Sequence, residues 1–299
     1  MTATVGNPAP PAGAGETGRP AEAPRTRAIR VLLWSLRHWS VVVAGAILAV
    51  AVLWALVPGW FTHANPTAIG ATDKLLPPSS AHWFGTDRLG RDQFTRVVYG
   101  ARASLSGSVV AVLIGVTVGS VFGALAGWFG RWIDALVMRL IDVVLSIPGF
   151  LLAITIVVVL GYGIPQAAAA VGITSSAAFA RLIRSEVLRA KTSQYVEAAV
   201  ASGARSPTVL LRHVIPNSLG PTLSLVTIQF GVAIIWIASL SFLGLGAQPP
   251  SPEWGRLVAD GRNFMASKPY LVVYPALTVA VVVLAGNHLA RHFAERQKR

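Results

Sequence analysis

The sequence contains no cysteine and few charged residues, since Asp, Glu, Lys and Arg together make up 12% of its 299 residues. The lack of cysteine excludes disulfides, thiol catalysis and cysteine-ligated zinc or iron–sulfur sites. A soluble globular domain has roughly 25% charged residues, so this composition argues against an ordinary soluble enzyme. A disordered chain is excluded as well, because such chains combine low hydrophobicity with high charge, whereas 54% of these residues are hydrophobic.

The short motifs of common enzymes are also missing. The sequence has no G-x-x-x-x-G-K-[ST] for nucleotide binding, no H-E-x-x-H and no G-x-S-x-G. Among six histidines, His288 and His292 are four residues apart, but they lie in the basic C-terminal region. A helix end with a polar face explains this pair without a metal. We therefore predict no catalytic residue and no metal site.

Long apolar runs are what this sequence has in abundance. A membrane-spanning helix needs roughly 20 apolar residues, and six runs meet this length, which predicts an all-α integral membrane protein with about six transmembrane helices. The runs cover residues 39–60, 105–128, 136–160, 164–183, 222–245 and 270–289.

The segments between the runs define the predicted organisation. Residues 1–36, rich in Ala, Pro and Gly, form a disordered cytoplasmic tail, and residues 37–60 form the first transmembrane helix. Residues 61–103 form an extracytoplasmic loop with an amphipathic helix near its end. A core domain with five transmembrane helices covers 104–290, and 291–299 form a cytoplasmic tail. A cleaved signal peptide at the first run is disfavoured, because the preceding polar segment is long and no A-x-A site follows.

The net charge of +13 is distributed unevenly along the chain. In a soluble protein this charge would suggest nucleic-acid binding, but here the basic residues flank apolar runs. With the N-terminus inside, seventeen of the 25 Lys and Arg residues lie in inside segments, which favours cytoplasmic N- and C-termini. Without the alanine-rich fourth run, the six basic residues between Arg181 and Arg212 would face outward. The charge bias therefore supports that span.

Charged residues near span centres are rare. Arg139 and Asp142 lie about one turn inside the third run and are spaced i, i+3, so we predict that they pair on one helix face near the interface. The alternative is a proton or ion relay. The other five runs have no central acidic residue, which disfavours a proton-coupled carrier and a charged-ring channel.

Residues 194–217 have the pattern of a helix, a turn and a second helix. Glu197-Ala198-Ala199 begins a strong helix-forming stretch, and Gly203 suits a C-terminal cap with positive φ. Ser206-Pro207 is a good start for the second helix, and we predict that Pro216 ends it. Such a hairpin, with small residues at its tip, could dock into a groove on a partner; a solvated connector is the alternative.

This stretch resembles the EAA loop of permease subunits of bacterial ABC importers. The pattern E-A-A-x3-G-x9-I-x-L-P matches at Glu197-Ala198-Ala199, Gly203 and Pro216, while His213 and Ile215 replace the consensus Ile and Leu. Other segments are similar to the DppC/OppC-type subfamily, in order over about residues 80–290. They comprise Gly85, Thr86, Asp87, Gly90, Arg91 and Asp92, then Met138-Arg139 with Asp142 and Pro148, then Ser241 to Gly255, and Asn287. The sequence departs from the family after Asn287.

The resemblance implies a type I ABC importer permease fold in the bacterial plasma membrane, with residues 184–217 as the cytoplasmic coupling loop. The ATPase-coupling residues would be Glu197, Ala198, Ala199, Gly203, Arg205 and Pro216. The implied partners are a DppB/OppB-like permease, two ABC ATPase subunits and an extracytoplasmic substrate-binding protein that delivers di- or oligopeptides. ATP and Mg would bind at the ATPases, so this chain would bind no cofactor and would not be an enzyme.

Several alternatives stay open at this point. Asp87, Arg91 and Asp92 could contact the binding protein or only pack the entry to the second span, and no substrate-binding residue is assigned. Related systems that resemble this one carry nickel, glutathione or haem. A standalone carrier or channel is a hypothesis from another class. An intramembrane enzyme would need a mid-span catalytic or metal constellation, which the sequence lacks.

Overall fold

The computed structural model describes residues 39–70, 73–204, 206–217 and 219–297. In these ranges the regular structure is helical, and β-pairing is limited to an isolated bridge between Thr86 and Asp92. The chain divides into two units, residues 1–39 and 40–299, and the described residues lie almost entirely in the second unit. The predicted tail of residues 1–36 lies outside the described residues.

The described α-helices are numbered in chain order. They are α1 (Trp39–Leu56), α2 (Gln93–Phe129), α3 (Arg131–Ser146), α4 (Gly149–Leu160), α5 (Ile164–Lys191), α6 (Gln194–Ala201), α7 (Ser206–Val209), α8 (Ile215–Asn217), α9 (Leu219–Phe242), α10 (Trp254–Gly261) and α11 (Tyr270–Gln297). One wide π-type turn, Leu210–Val214, connects α7 to α8.

Five of these helices, α1, α2, α5, α9 and α11, are long and apolar enough to cross a membrane. The predicted third span is broken instead: α3 and α4 meet at an angle of 94°. The break falls at Ile147, which has the extended dihedral angles φ −91° and ψ 132°. Pro148 explains this bend, because proline disfavours a helical conformation in the residue before it.

Helices α2 and α5 pack side by side and run parallel. Gly107 of α2 lies against Ile164 at the start of α5, and Gly127 lies against Val187 near its end. Because the two helices run in the same direction, the chain between them has to return across the bundle. The bent pair α3–α4 makes this return, and if the pair counts as one span, the described residues contain the six spans that the sequence predicts.

A row of glycines allows α2 and α5 to approach closely. Gly115, Gly119, Gly123 and Gly127 follow one another at four-residue intervals on the face of α2 that meets α5. A Cβ atom at Gly119 would lie 2.4 Å from the Cβ of Phe179, so only glycine fits there. Small residues at this spacing are typical of tightly packed helix pairs in membranes. The sequence analysis missed this glycine seam, although the regular spacing was its signal.

The 37 residues of α2 place two groups of loops far apart. At 1.5 Å per residue the helix is about 55 Å long, which exceeds the hydrocarbon thickness of about 30 Å. One end, here called the loop end, carries residues 61–92 and 246–269. The other, the hairpin end, carries residues 192–217. The amphipathic helix predicted within 61–103 is not separate, because α2 already begins at Gln93.

The terminal helices run antiparallel between these ends. The Tyr270 hydroxyl at the start of α11 donates to the carbonyls of Leu75 and Leu76, 3.0 and 2.9 Å away, at the loop end. Near the other end of α11, His288 Nε2 lies 3.1 Å from Ser40 Oγ of α1. The start of α1 and the end of α11 therefore lie toward the hairpin end. Helix α11 continues through the predicted tail as far as Gln297.

Candidate functional site

The hairpin consists of α6, a turn at residues 202–204 and the short helix α7. Gly203 has φ +82°, and the Ala204 amide donates back to the carbonyl of Ala199 at 3.1 Å. This hydrogen bond closes the last turn of α6 in the way that C-terminal glycine caps do. A Cβ at Gly203 would have no heavy atom within 4 Å. The glycine is thus required by conformation and not by lack of space, and the prediction that it ends the first helix is confirmed.

The inner face of the hairpin is apolar and holds it against the body. Val196, Val209 and Val214 are buried in one cluster with residues of α2 and α5, among them Ala124, Ile183 and Val187. Lys191, at the end of α5, donates to the carbonyl of Trp128 at 2.6 Å, and its Nζ lies 5.3 Å from the centroid of that indole ring. The hairpin is therefore attached to the ends of the parallel pair.

The predicted coupling residues divide between two faces. Glu197, Ala198 and Gly203 are exposed on the outer face, while Ala199 is half-buried and packs against the inner valine cluster. Arg205 lies outside the described residues. Glu197, Ala198 and Gly203 are therefore accessible at the surface of the hairpin.

The prediction that Pro216 ends the second helix is wrong. Pro216 is exposed within α8, so the helical backbone continues to Asn217 and α9 begins at Leu219. In a regular α-helix the proline ring would clash with the carbonyl four residues earlier, which belongs to Arg212. The π-type turn at Leu210–Val214 is wider and relieves this clash.

The predicted pairing of Arg139 with Asp142 is also wrong. Asp142 instead accepts a hydrogen bond from Arg181 of α5 at 2.6 Å, and Arg139 is exposed. About two turns closer to the hairpin end on the same helix, Asp134 binds Arg184 through both carboxylate oxygens, at 2.5 and 2.6 Å. Arg184 thus donates from two nitrogens, whereas Arg181 donates from one. The two ion pairs join α3 to α5.

At the loop end, the predicted motif residues bind one another. Arg91 and Asp87 form a salt bridge of 2.6 Å, and their side chains are only 6% and 8% exposed. Asp87 also accepts from the amide of Leu89 at 2.8 Å. Asp92 caps α2 by accepting from the Thr95 amide at 2.7 Å. Of the two alternatives left open by the sequence, these contacts favour packing at the entry to the second span.

The smaller residues of the motif shape the loop. Gly85 and Gly90 have φ of +74° and +75°, and a Cβ at Gly90 would lie 2.2 Å from the carbonyl oxygen of Gly70. Thr86 donates its hydroxyl to the carbonyl of Asp73 and accepts from the Leu76 amide at 2.9 Å. These residues fold the loop back onto itself around the Asp87–Arg91 pair.

Three further polar residues complete this cluster, and the sequence analysis did not assign them to a site. Arg96 is almost fully buried, with Asp87 and Asp260 each 3.8 Å from its guanidinium. Glu253 is buried as well and accepts from Ser104 Oγ at 2.8 Å and from the Arg256 amide at 2.9 Å. Burial raises the pKa of the Glu253 carboxyl above its ordinary value. Glu253 lies within the matching segment from Ser241 to Gly255, which was the available signal for it.

Comparisons with known proteins agree with this architecture. The family described as binding-protein-dependent transport system inner membrane component matches residues 119–299. The dipeptide transport system permease protein DppC of Alkalihalophilus pseudofirmus is 40% identical over 236 residues, which are 79% of this chain and 78% of that protein. The glutathione transport system permease protein GsiD of Escherichia coli is 49% identical over 212 residues, 71% and 70% of the two chains.

A solved structure shares the fold. The crystal structure of an amino acid ABC transporter with histidines superimposes with a TM-score of 0.53 and 19% sequence identity, over 68% of this chain and 94% of that one. At this identity the likeness concerns the arrangement of helices alone.

Proposed function

The chain belongs to the family of binding-protein-dependent transport system inner membrane components, and on that premise we propose that it forms one half of the translocation pathway of an ATP-driven peptide importer. It is a multi-pass membrane transport permease. A DppB/OppB-like permease would form the other half, two ABC ATPase subunits would supply the energy, and an extracytoplasmic binding protein would deliver the substrate. The observation that carries this proposal is the hairpin, whose outer face offers Glu197, Ala198 and Gly203 to a partner.

The hairpin acts as the coupling element between this chain and an ATPase. Small residues at its surface allow a close approach, while Glu197 supplies a polar contact. Because the inner valines and Lys191 attach the hairpin to α2 and α5, a pull on it moves both helices. At the glycine seam, side chains of α5 such as Phe179 and Val187 pack directly against the backbone of α2, so in this proposal the two helices move as one body. Such rigid-body motion is a common way to switch a protein between two states.

The hairpin end faces the cytoplasm in this proposal. Both the start of α1 and the end of α11 lie toward that end, and the distribution of Lys and Arg favours cytoplasmic termini. The loop end then faces outward, where the binding protein docks. ATP and Mg bind at the ATPase partners, and this chain contributes neither a cofactor nor a catalytic residue.

The substrate is a short peptide. One relative is named for dipeptides and another for glutathione, which is itself a modified tripeptide, so glutathione is the second candidate. Nickel and haem systems, and a standalone carrier, stay as less supported alternatives.

A pull-down of the tagged protein from its own membranes in mild detergent tests the assembly. We expect mass spectrometry to identify a second permease and one or two P-loop ATPases. Uptake of radiolabelled dipeptide and glutathione into proteoliposomes that hold the complete complex then compares the substrates. A protein that purifies alone and monodisperse in several detergents would contradict the proposal.

A further inference from the structure

A pocket at the loop end is lined by three arginines. It lies between the end of α9 and the later part of α10, and has a volume of about 310 Å³. It is bordered by Arg88, Arg256 and Arg262 together with Phe242, Leu243 and Asp260. Its size suits a group of a few heavy atoms. It is separate from the hairpin, and the coupling proposal does not use it.

The positive charge of this pocket is not balanced by the acids around it. Asp260, the acidic residue of the lining, is shared among Arg256 at 3.1 Å, Arg96 at 3.8 Å and Arg91 at 3.9 Å. Within the described part of the chain, Arg88 and Arg262 have no carboxylate partner. Arg262 instead rests over the Phe242 ring, 5.9 Å from its centroid. A pocket with spare guanidinium donors favours an anion.

An apolar cavity adjoins the arginine pocket. It has a volume of about 430 Å³, shares Phe242 and Leu243 with the pocket, and continues past Ile235 and Val279 to Phe150 of α4. A charged mouth and an apolar recess therefore meet at two shared side chains. A ligand that fills both needs an anionic group and an apolar group a few bonds apart.

We propose that the arginine pocket binds the free carboxylate of a short peptide, with the apolar side chain of its last residue in the adjoining cavity. Arginine recognises carboxylates through two parallel hydrogen bonds. An anionic lipid, with its phosphate in the charged mouth and an acyl chain in the cavity, is the main competing ligand, and an acidic side chain of a docking protein would use the charged mouth alone. This inference rests on the proposed function, because it assumes that peptides reach the loop end.

Arginine-selective modification of the complete transporter in nanodiscs tests the site without any substitution. Phenylglyoxal is added with the dipeptide Ala-Phe, with Ala-Phe amide, or with neither, and mass spectrometry follows each arginine. If the dipeptide binds with a Kd of about 1 mM, about 5 mM peptide slows modification of Arg88 and Arg262 about sixfold. The amide protects neither residue, and exposed Arg102 at the same end, which is outside the pocket, reacts equally in all samples.

Three results would overturn the proposal. Equal protection by the peptide and the amide, or no protection by either, would show that the pocket does not recognise the carboxylate. Protection without peptide in phosphatidylglycerol discs, but not in zwitterionic phosphatidylcholine discs, assigns the pocket to an anionic lipid. Protection by a peptide-free binding protein assigns it to an acidic side chain of that protein.

Uptake by the complete complex separates this inference from the proposed function. The double variant R88Q/R262Q should take up Ala-Phe about tenfold more slowly at low concentration, while R102Q transports like the unchanged protein. If the unchanged complex takes up no peptide, the proposed function fails, and the protection experiment still reports whether the pocket binds carboxylate. If the double variant transports normally, the pocket is not part of the pathway.

Discussion

Both ends of the bundle contain residues that match family motifs, but these residues are buried at one end and exposed at the other. At the loop end, Asp87 and Arg91 point at one another and are buried. At the hairpin end, Glu197 and Ala198 are exposed, and the buried residues near them are the valines of the inner cluster. Motif residues at the first end thus hold the shape of this chain, and those at the second are free for another chain. Substitutions in the two regions and between them test this contrast, beginning with the largest expected effect.

Replacing Gly203 with Asp should abolish transport while membrane insertion stays intact. At φ +82° the new side chain strains the turn and places a charge at the tip of the hairpin. Gly203→Asn is the matched variant, because asparagine tolerates this backbone region better than most residues, and it should keep part of the activity. Peptide uptake and membrane yield are measured together. Normal uptake by Gly203→Asp would contradict the proposed coupling role of the hairpin.

Replacing Asp87 with Ala should destabilise the protein strongly. The change removes the carboxylate 2.6 Å from the buried guanidinium of Arg91 and leaves only Asp260, at 3.9 Å; breaking a buried ion pair costs about 3–5 kcal/mol. The control is Asp142→Ala, since the pair of Asp142 and Arg181 is 59% and 56% exposed and such pairs contribute about 0–1 kcal/mol. Thermal unfolding in detergent compares them. Similar losses in Tm would show that burial does not distinguish the two pairs.

Replacing Gly119 with Ala should destabilise the α2–α5 pair by about 1–3 kcal/mol, the usual cost of overpacking. The added methyl would meet Phe179 and the carbonyl of Ser176 at 2.4 and 2.5 Å. Gly220→Ala is the control, because a Cβ there has no heavy atom within 4 Å. Thermal unfolding again measures the difference. A Gly119→Ala variant as stable as the control would mean that the two helices can separate freely.

The free energy of unfolding of the protein should depend weakly on pH because of Glu253. Burial raises the pKa of this carboxyl above its ordinary 4.5, so the folded protein holds its proton more tightly than the unfolded chain. The contribution of Glu253 to stability is therefore fully present below pH 4.5. It is lost as the pH rises through the pKa that this carboxyl has in the folded protein. Glu253→Gln lacks this titration.

The Tm of Glu253→Gln relative to the unchanged protein should accordingly rise from pH 4.5 upward and then level off. Parallel Tm curves for the two proteins across this range would contradict a protonated Glu253. The loop end would then be held by ionised groups alone.

Much of the fold could be predicted from the residues in order. Apolar runs of about 20 residues have few alternatives to a membrane helix, so the positions of α1, α5, α9 and α11 follow from composition. Gly203 could be predicted too, because a left-handed turn is a local property of the chain. The start of α2 was placed too late, since Asp92 caps the helix while its first turns are still polar.

The chemistry of the buried and paired residues could not be predicted in the same way. Nothing in the spacing of Arg139 and Asp142 shows that Arg181, 39 residues later, lies nearer to that carboxylate. The same holds for Asp260, which meets Arg91 and Arg96 only because α10 packs beside α2.

Local and composition-based properties of this protein were therefore contained in its sequence: the helical class, the membrane-spanning runs and the glycine that turns the hairpin. They depend on neighbours along the chain and on hydrophobicity. The parallel packing of α2 with α5, the ion pairs between helices and the arginine pocket arise from segments that are far apart in sequence. Their contacts depend on which faces of the helices meet, and only the packed bundle determines that.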